Sequence, residues 1–152
     1  VKGETNVSDK RLGGERLNAG KVARFLIRVP AKETNGAYSV TEFLLNPGDS
    51  TFVHQQEKED EYLLVLDGTA KILCGDKTFE AKAGTTVSLP RDVPHAWGNP
   101  TDAPLRVIIT AVPGGCEEAL QMIATNGDRV DLQEIGKKYA VKLVGPPMLG
   151  GR

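Results

Sequence analysis

The sequence predicts an all-β domain of antiparallel strands followed by two short helices, and three of its features carry that prediction. Gly and Pro, 17 and 9 of the 152 residues, are scattered along the chain, as many short strands joined by turns require. From Lys21 the side chains alternate: Val22, Arg24, Leu26 and Arg28 fall on one face, and Ala23, Phe25, Ile27 and Val29 make a fully apolar face opposite. The alternation stops at Pro113-Gly114-Gly115, after which Ala119, Leu120, Met122 and Ile123 recur at helical spacing.

A chain of 152 residues fits one domain whose core is large enough to fold alone. Its 19 basic and 20 acidic residues are well mixed, with no basic stripe for nucleic acid and no charge block typical of a disordered tail. No apolar run approaches a membrane helix, and no apolar signal core opens the chain. Cys74 and Cys116 are distant and form no ligand-spaced pair, so two reduced thiols in a cytoplasmic protein are expected rather than a disulfide. These features leave a small molecule as the expected partner.

Residues 1–20 are polar and Gly-rich without periodicity, and an irregular arm lying against a partner subunit is expected there. The strand from Lys21 carries Arg24 and Arg28, which either hold an anionic substrate or, the reading preferred here, cap the solvent side. Asn35-Gly36 marks a turn before a strand from Tyr38 to Leu45. Asn46-Pro47-Gly48-Asp49 is a second turn, since proline presets one dihedral and glycine accepts the next. The strand Thr51–Gln56 then puts Phe52, His54 and Gln56 on one face.

Glu57 to Asp60 read as a charged, solvated loop, whereas Glu61 opens the apolar run Tyr62–Leu66 and shares its inner face with Leu63 and Val65. A carboxylate aimed at such an interior needs a partner, because an unpaired buried charge is very costly. Thr69–Cys74 and Lys77–Ala81 form a hairpin about Gly75-Asp76, and Thr85–Leu89 is a β-branched strand. Pro90 to Pro94 turn the chain and present His95, which shares a face with Trp97. Leu105–Val112 is the last strand of the sheet region, residues 21–112. In the extension, 113–152, Glu117 and Glu118 favour the first turn of a helix over 116–125. Asp131-x-x-Glu134 opens a second helix over 132–139, and Gly145-Pro146-Pro147 is expected to end regular structure.

Only two histidines occur, and both sit in runs framed by Gly, Pro and acidic residues. The first run is Gly48-x5-His54-x-Gln56-x4-Glu61-x6-Gly68, the second Gly84-x5-Pro90-x-Asp92-x2-His95-x3-Asn99. They resemble the paired motifs of the cupin superfamily, G-x5-H-x-H-x3-4-E-x6-G and G-x5-P-x-G-x2-H-x3-N. Spacing agrees at every anchor, with Gln56 in place of the second histidine and Asp92 in place of a glycine. The flanks also look like single-domain cupins of the quercetin-dioxygenase-like kind. The resemblance implies an antiparallel jelly-roll β-barrel over 21–112, with the two C-terminal helices covering one opening or packing on a second subunit, and it implies a homodimer.

The resemblance also places His54, Gln56, Glu61 and His95 around one divalent transition metal ion, with Glu61 as catalytic residue. Phe52, Leu63, Val65 and Trp97 share strand faces with these donors and are expected to line a substrate pocket, with core filling the alternative for Phe52 and Trp97. Imidazole suits Zn, Cu, Fe and Ni while carboxylate oxygen suits harder ions such as Mn, so the donor types do not single out one ion. His54, Glu61 and His95 alone make the two-histidine, one-carboxylate set of non-haem Fe(II) oxygenases. Gln56 either binds through its amide oxygen, as a glutamine does in mannose-6-phosphate isomerases of the cupin type, or hydrogen-bonds a metal-bound water. A metal-dependent dioxygenase or other oxidoreductase acting on a small enolic or phenolic substrate is the leading expectation. A metal-assisted isomerase or lyase, and a non-catalytic small-molecule binder, are the alternatives, because one fold hosts many chemistries.

Overall fold

A computed structural model describes residues 24–126, 129 and 131–149; the expected N-terminal arm lies outside the described residues. The strands are β1 (Arg24–Val29), β2 (Ser39–Leu45), β3 (Phe52–Gln56), β4 (Asp60–Asp67), β5 (Thr69–Cys74), β6 (Lys77–Lys82), β7 (Thr86–Leu89), β8 (His95–Gly98), β9 (Leu105–Val112) and β10 (Val141–Pro147), with helices α1 (Glu117–Asn126) and α2 (Leu132–Tyr139) before the last strand. They build two five-stranded antiparallel sheets, ordered β1-β2-β9-β4-β7 and β10-β3-β8-β5-β6. From β3 to β9 the chain passes repeatedly between the sheets, the double-sheet jelly-roll arrangement. The expected barrel is corrected in one respect: among the described residues the sheets stay separate and face each other without closing into a continuous cylinder.

Alternation explains the core. In β9, Leu105, Val107, Ile109 and Ala111 are buried while Arg106, Ile108 and Thr110 between them are not. Phe43, Leu45, Leu63 and Val65 from one sheet meet Ala70, Ile72 and Trp97 from the other in a single apolar cluster. On the outer face of the first sheet Arg28 of β1 reaches Glu42 of β2 at 2.5 Å, and Arg106 of β9 reaches the same carboxylate at 2.6 Å. Arg28 therefore serves the outside of the sheet, as the sequence reading preferred.

Two turns show why particular residues stand where they do. Asp92, in the place of a motif glycine, adopts a left-handed φ of 63°, which Asp tolerates better than most residues, and its N–H donates to the Gln56 carbonyl at 2.7 Å. Gly98 ends β8 where a Cβ would lie 2.6 Å from the Ser50 Cβ and 2.9 Å from Leu149, so only glycine fits that approach.

The C-terminal segment departs from expectation. α1 and α2 form as predicted, and Asp131 caps α2 by accepting from the Gln133 and Glu134 N–H groups. The tail, however, does not end regular structure at Gly145-Pro146-Pro147. It continues as β10 along the otherwise open edge of β3, pairing Val141 with Gln56 and Leu143 with His54. The ladder is interrupted between Leu143 and Pro147, where prolines without an N–H are tolerated because the strand is an edge. No helix among the described residues is long and apolar enough to cross a membrane.

Candidate metal centre

His54 and His95 are far apart in sequence but are direct cross-strand partners in the β3–β8 ladder. Their rings meet edge to face with centroids 4.3 Å apart. Gln56 follows on the same face of β3, after which the chain crosses into the other sheet and Glu61 of β4 faces back. His95 Nε2 lies 3.5 Å from Glu61 Oε2, and the Gln56 amide nitrogen donates to Glu61 Oε1. The ligand atoms of His54, Glu61 and His95 all lie within 4.8 Å of one another.

Hydrogen bonds set the state of each donor. His54 Nδ1 lies 2.8 Å from the Phe52 carbonyl and His95 Nδ1 lies 3.2 Å from the Val93 carbonyl. A carbonyl only accepts, so both Nδ1 atoms carry a proton, and Nε2 is the ring nitrogen left to face the centre. Burial, reinforced by the neighbouring His95, pushes His54 down to about 4. Burial would raise the Glu61 carboxyl, but His95, His54 and Gln56 together outweigh it and hold the group below the usual carboxylate range. At neutral pH the site therefore offers the neutral His54 imidazole and the Glu61 carboxylate, forms that bind metals.

The residues fit a cation on a further observation. His95 Nε2 and Gln56 Oε1 are buried and have no hydrogen-bond partner, although such atoms cost about 1–3 kcal/mol each when left unpaired. A divalent ion held by His54, Glu61 and His95 would satisfy the imidazole. Gln56 already orients Glu61 through its amide nitrogen, and its oxygen keeps its lone pairs.

Around the centre, the loops carrying the two motifs are clamped together by the Arg91 guanidinium on the Asp60 carboxylate at 3.1 Å. The loop between β3 and β4 is less solvated than its charges imply. Glu59 is only 5% exposed, one of its oxygens lacks a partner, and burial followed by repulsion from Glu61 pushes its carboxyl up to about 7. Nothing in the charge run Glu57-Lys-Glu-Asp60 distinguishes Glu59 from its exposed neighbour Lys58.

His54, Gln56 and Glu61 open onto a cavity of about 200 Å³ between the sheets and under the helices. Phe52 and Trp97 border it, as their shared faces with the histidines predict; His95 is fully buried and lies outside its walls. Leu63 and Val65 do not line it, and the expectation for them is corrected. Both are 0% exposed in the apolar core, beside β7. They share a face with Glu61, but the cavity leans towards the other half of the sheet, where Ser39, Thr41 and Phe43 of β2 and Ile109 and Ala111 of β9 form its wall. The remaining wall comes from the helical segment, with Cys116, Glu117, Leu120, Ile123 and Ile135 among its residues, from Val141 and Leu143 of β10, and from Ser50 and Thr51. Sequence reasoning missed the helical residues because helical apolar spacing says that a face is buried without saying against what. α1 is anchored by Glu117, whose carboxylate accepts from the Ala31 and Gly115 N–H groups at 2.7 and 2.8 Å.

Comparison with known proteins bears on the fold more than the reaction. Residues 41–111 match the family described as Cupin domain. Mannose-1-phosphate guanylyltransferase 2 of Escherichia coli O157:H7 is 31% identical over 71 residues, which are 47% of this chain but 15% of that protein's length. An uncharacterized protein of Methanocaldococcus jannaschii is 25% identical over 85 residues, 56% of this chain and 68% of that one. Among solved structures, a predicted oxalate decarboxylase from Thermotoga maritima superimposes with a TM-score of 0.59 at 21% identity, covering 65% of this chain and 88% of that chain. A sugar phosphate isomerase from Silicibacter pomeroyi gives 0.51 at 20% identity, covering 58% and 59%. Both motifs fold onto one site between jelly-roll sheets, and residues 41–111, just under half of the chain, are similar to the Cupin domain family.

Proposed function

We propose that this chain is a metal-dependent cupin enzyme, a dioxygenase-type oxidoreductase acting on a small enolic or phenolic substrate. The observation that carries the reading is the meeting of His54, Glu61 and His95, their ligand atoms within 4.8 Å of one another, at the edge of a largely apolar cavity. A divalent transition ion held there with open positions would supply Lewis-acid and O2 chemistry.

The chain's own residues supply the rest. Glu61 stays a carboxylate and lines the cavity, and it is assigned the role of the base that takes an enol or phenol proton. Gln56 fixes the carboxylate's orientation. Phe52 and Trp97 hold a flat apolar body and keep water from the reacting oxygens. The helices and β10 cover the cavity, and the two free cysteines fit a reducing, cytoplasmic setting.

The test is O2 consumption by Fe(II)-, Mn(II)- or Ni(II)-loaded protein with a panel of catechols and enolic diketones. Uptake that depends on added metal and falls at least about a hundredfold in Glu61→Gln is expected. Turnover of a substrate supported by Zn(II) and indifferent to O2 would replace the oxygenase reading with the isomerase or lyase one.

A further inference from the structure

We propose that the cavity is selective for a ligand with an uncharged, apolar body and rejects phosphorylated sugars, in contrast to the activities that the names of its mannose-phosphate and sugar-phosphate relatives describe. The inference rests on the reading of the cavity as the ligand site, but its charge argument is independent of which reaction occurs there.

A phosphate dianion moved out of water needs cationic or N–H partners in return. Among the described residues that line the cavity there is no Lys or Arg, while Glu61 and Glu117 supply two acidic groups. Arg28 and Arg106 are committed to Glu42 on the outside of the first sheet, and Arg91 to Asp60 on an exposed loop. One cation-like feature does border the cavity, the N-terminus of α1, where helices commonly receive phosphates. It is already taken. The Gly115 N–H donates to the Glu117 carboxylate, and the Glu118 and Ala119 N–H groups bond the Gly115 and Cys116 carbonyls at 3.2 and 3.1 Å. A phosphate arriving there would meet an acid.

A divalent ion in the centre does not reverse this balance, since Glu61 offsets one of its charges before any ligand arrives. The walls instead suit an apolar body: Phe43, Phe52, Trp97, Ile109, Leu120 and Ile123, with the neutral hydroxyls of Ser39 and Thr41 among them. At about 200 Å³ the space is below the ~300–1,000 Å³ of pockets for drug-sized ligands, so the body is small.

Trp97 is the only tryptophan and lines the cavity, so its fluorescence reports occupancy without turnover. The full chain is loaded with redox-silent Zn(II) and titrated with 3-methylcatechol and, separately, with mannose 6-phosphate. Saturable quenching by methylcatechol is expected at an apparent Kd at least about tenfold below that of mannose 6-phosphate, because the phosphate meets no cation among the described residues that line the cavity. Leu120→Lys, which puts a cation into the wall, should narrow that gap at least about tenfold. Equal or tighter binding of mannose 6-phosphate by the unaltered chain, or no saturable quenching by methylcatechol, overturns the proposal. Should methylcatechol quench equally with and without Zn(II), the metal-enzyme reading fails while the selectivity stands.

Discussion

Glu42 is the clearest case of one residue whose surroundings decide its behaviour. Its side chain is 2% exposed, and burial alone would raise its carboxyl, but the hydrogen bonds and charges of Arg28 and Arg106 outweigh burial and leave it below 4.5. A depressed folded value stabilises the fold above the unfolded value, and the contribution disappears as pH falls through the folded one. Glu42→Gln should therefore cost about 1–3 kcal/mol at pH 7, and the difference from the unaltered chain should shrink below about pH 4.5. Urea denaturation across that range checks both the size and the sign. At the metal centre, Gln56→Ala removes the donor that orients Glu61. Affinity for Zn(II), measured by chelator competition, should fall about 10–100-fold. An unchanged affinity would mean that Gln56 neither orients a ligand nor is one. Both histidines, Gln56 and Glu61 were legible in the sequence because motif spacing and strand alternation agree on their positions. Glu59 was not, since the path of the short charged crossover between the sheets has no local signature.

At the scale of elements, alternation identified nearly every strand and the faces of each. It did not tell which half of an inner face borders the cavity. Leu63 and Val65 show the difference: they sit on the face of Glu61, yet they pack under β7 as core. Leu63→Ala should accordingly cost about 2–5 kcal/mol in denaturant unfolding while leaving Zn(II) stoichiometry unchanged. A variant that kept its stability but lost the metal would return Leu63 to the site. The tail was misread for a related reason. Two prolines break local structure, but the pairing of β10 with β3 is a contact between residues nearly ninety apart, as in Leu143 with His54. The caps, in contrast, are local and were readable. Asp131→Ala should cost about 1 kcal/mol through loss of its bonds to the Gln133 and Glu134 N–H groups, again read from urea midpoints.

The whole molecule joins these parts by dividing the donor set between the two sheets. His54 and His95 belong to one ladder and Glu61 to the other, so the centre exists only when the two sheets are packed. Metal should therefore raise thermal stability by linkage, since a ligand that binds only the folded chain stabilises it in proportion to the logarithm of its concentration. The expected homodimer also belongs to this scale. The described surface exposes Tyr62, Leu66, Phe79, Leu143 and Val144, each 37–49% accessible, and β10 and β6 are sheet edges. Light scattering should give about twice 16.3 kDa, and a mass near 16.3 kDa at micromolar concentration would contradict a dimer. The central claim is that His54, Glu61 and His95 hold a metal ion, and elemental analysis of protein purified without a metal-affinity tag tests it most directly. One equivalent of a first-row transition metal per chain, present on purification or restored by added Fe(II), Mn(II), Ni(II) or Zn(II) and lost in His95→Ala, is the predicted result. Less than about a tenth of an equivalent of any such metal, unrestored by all four ions, would contradict it, because a folded site of this donor set should retain at least one of them.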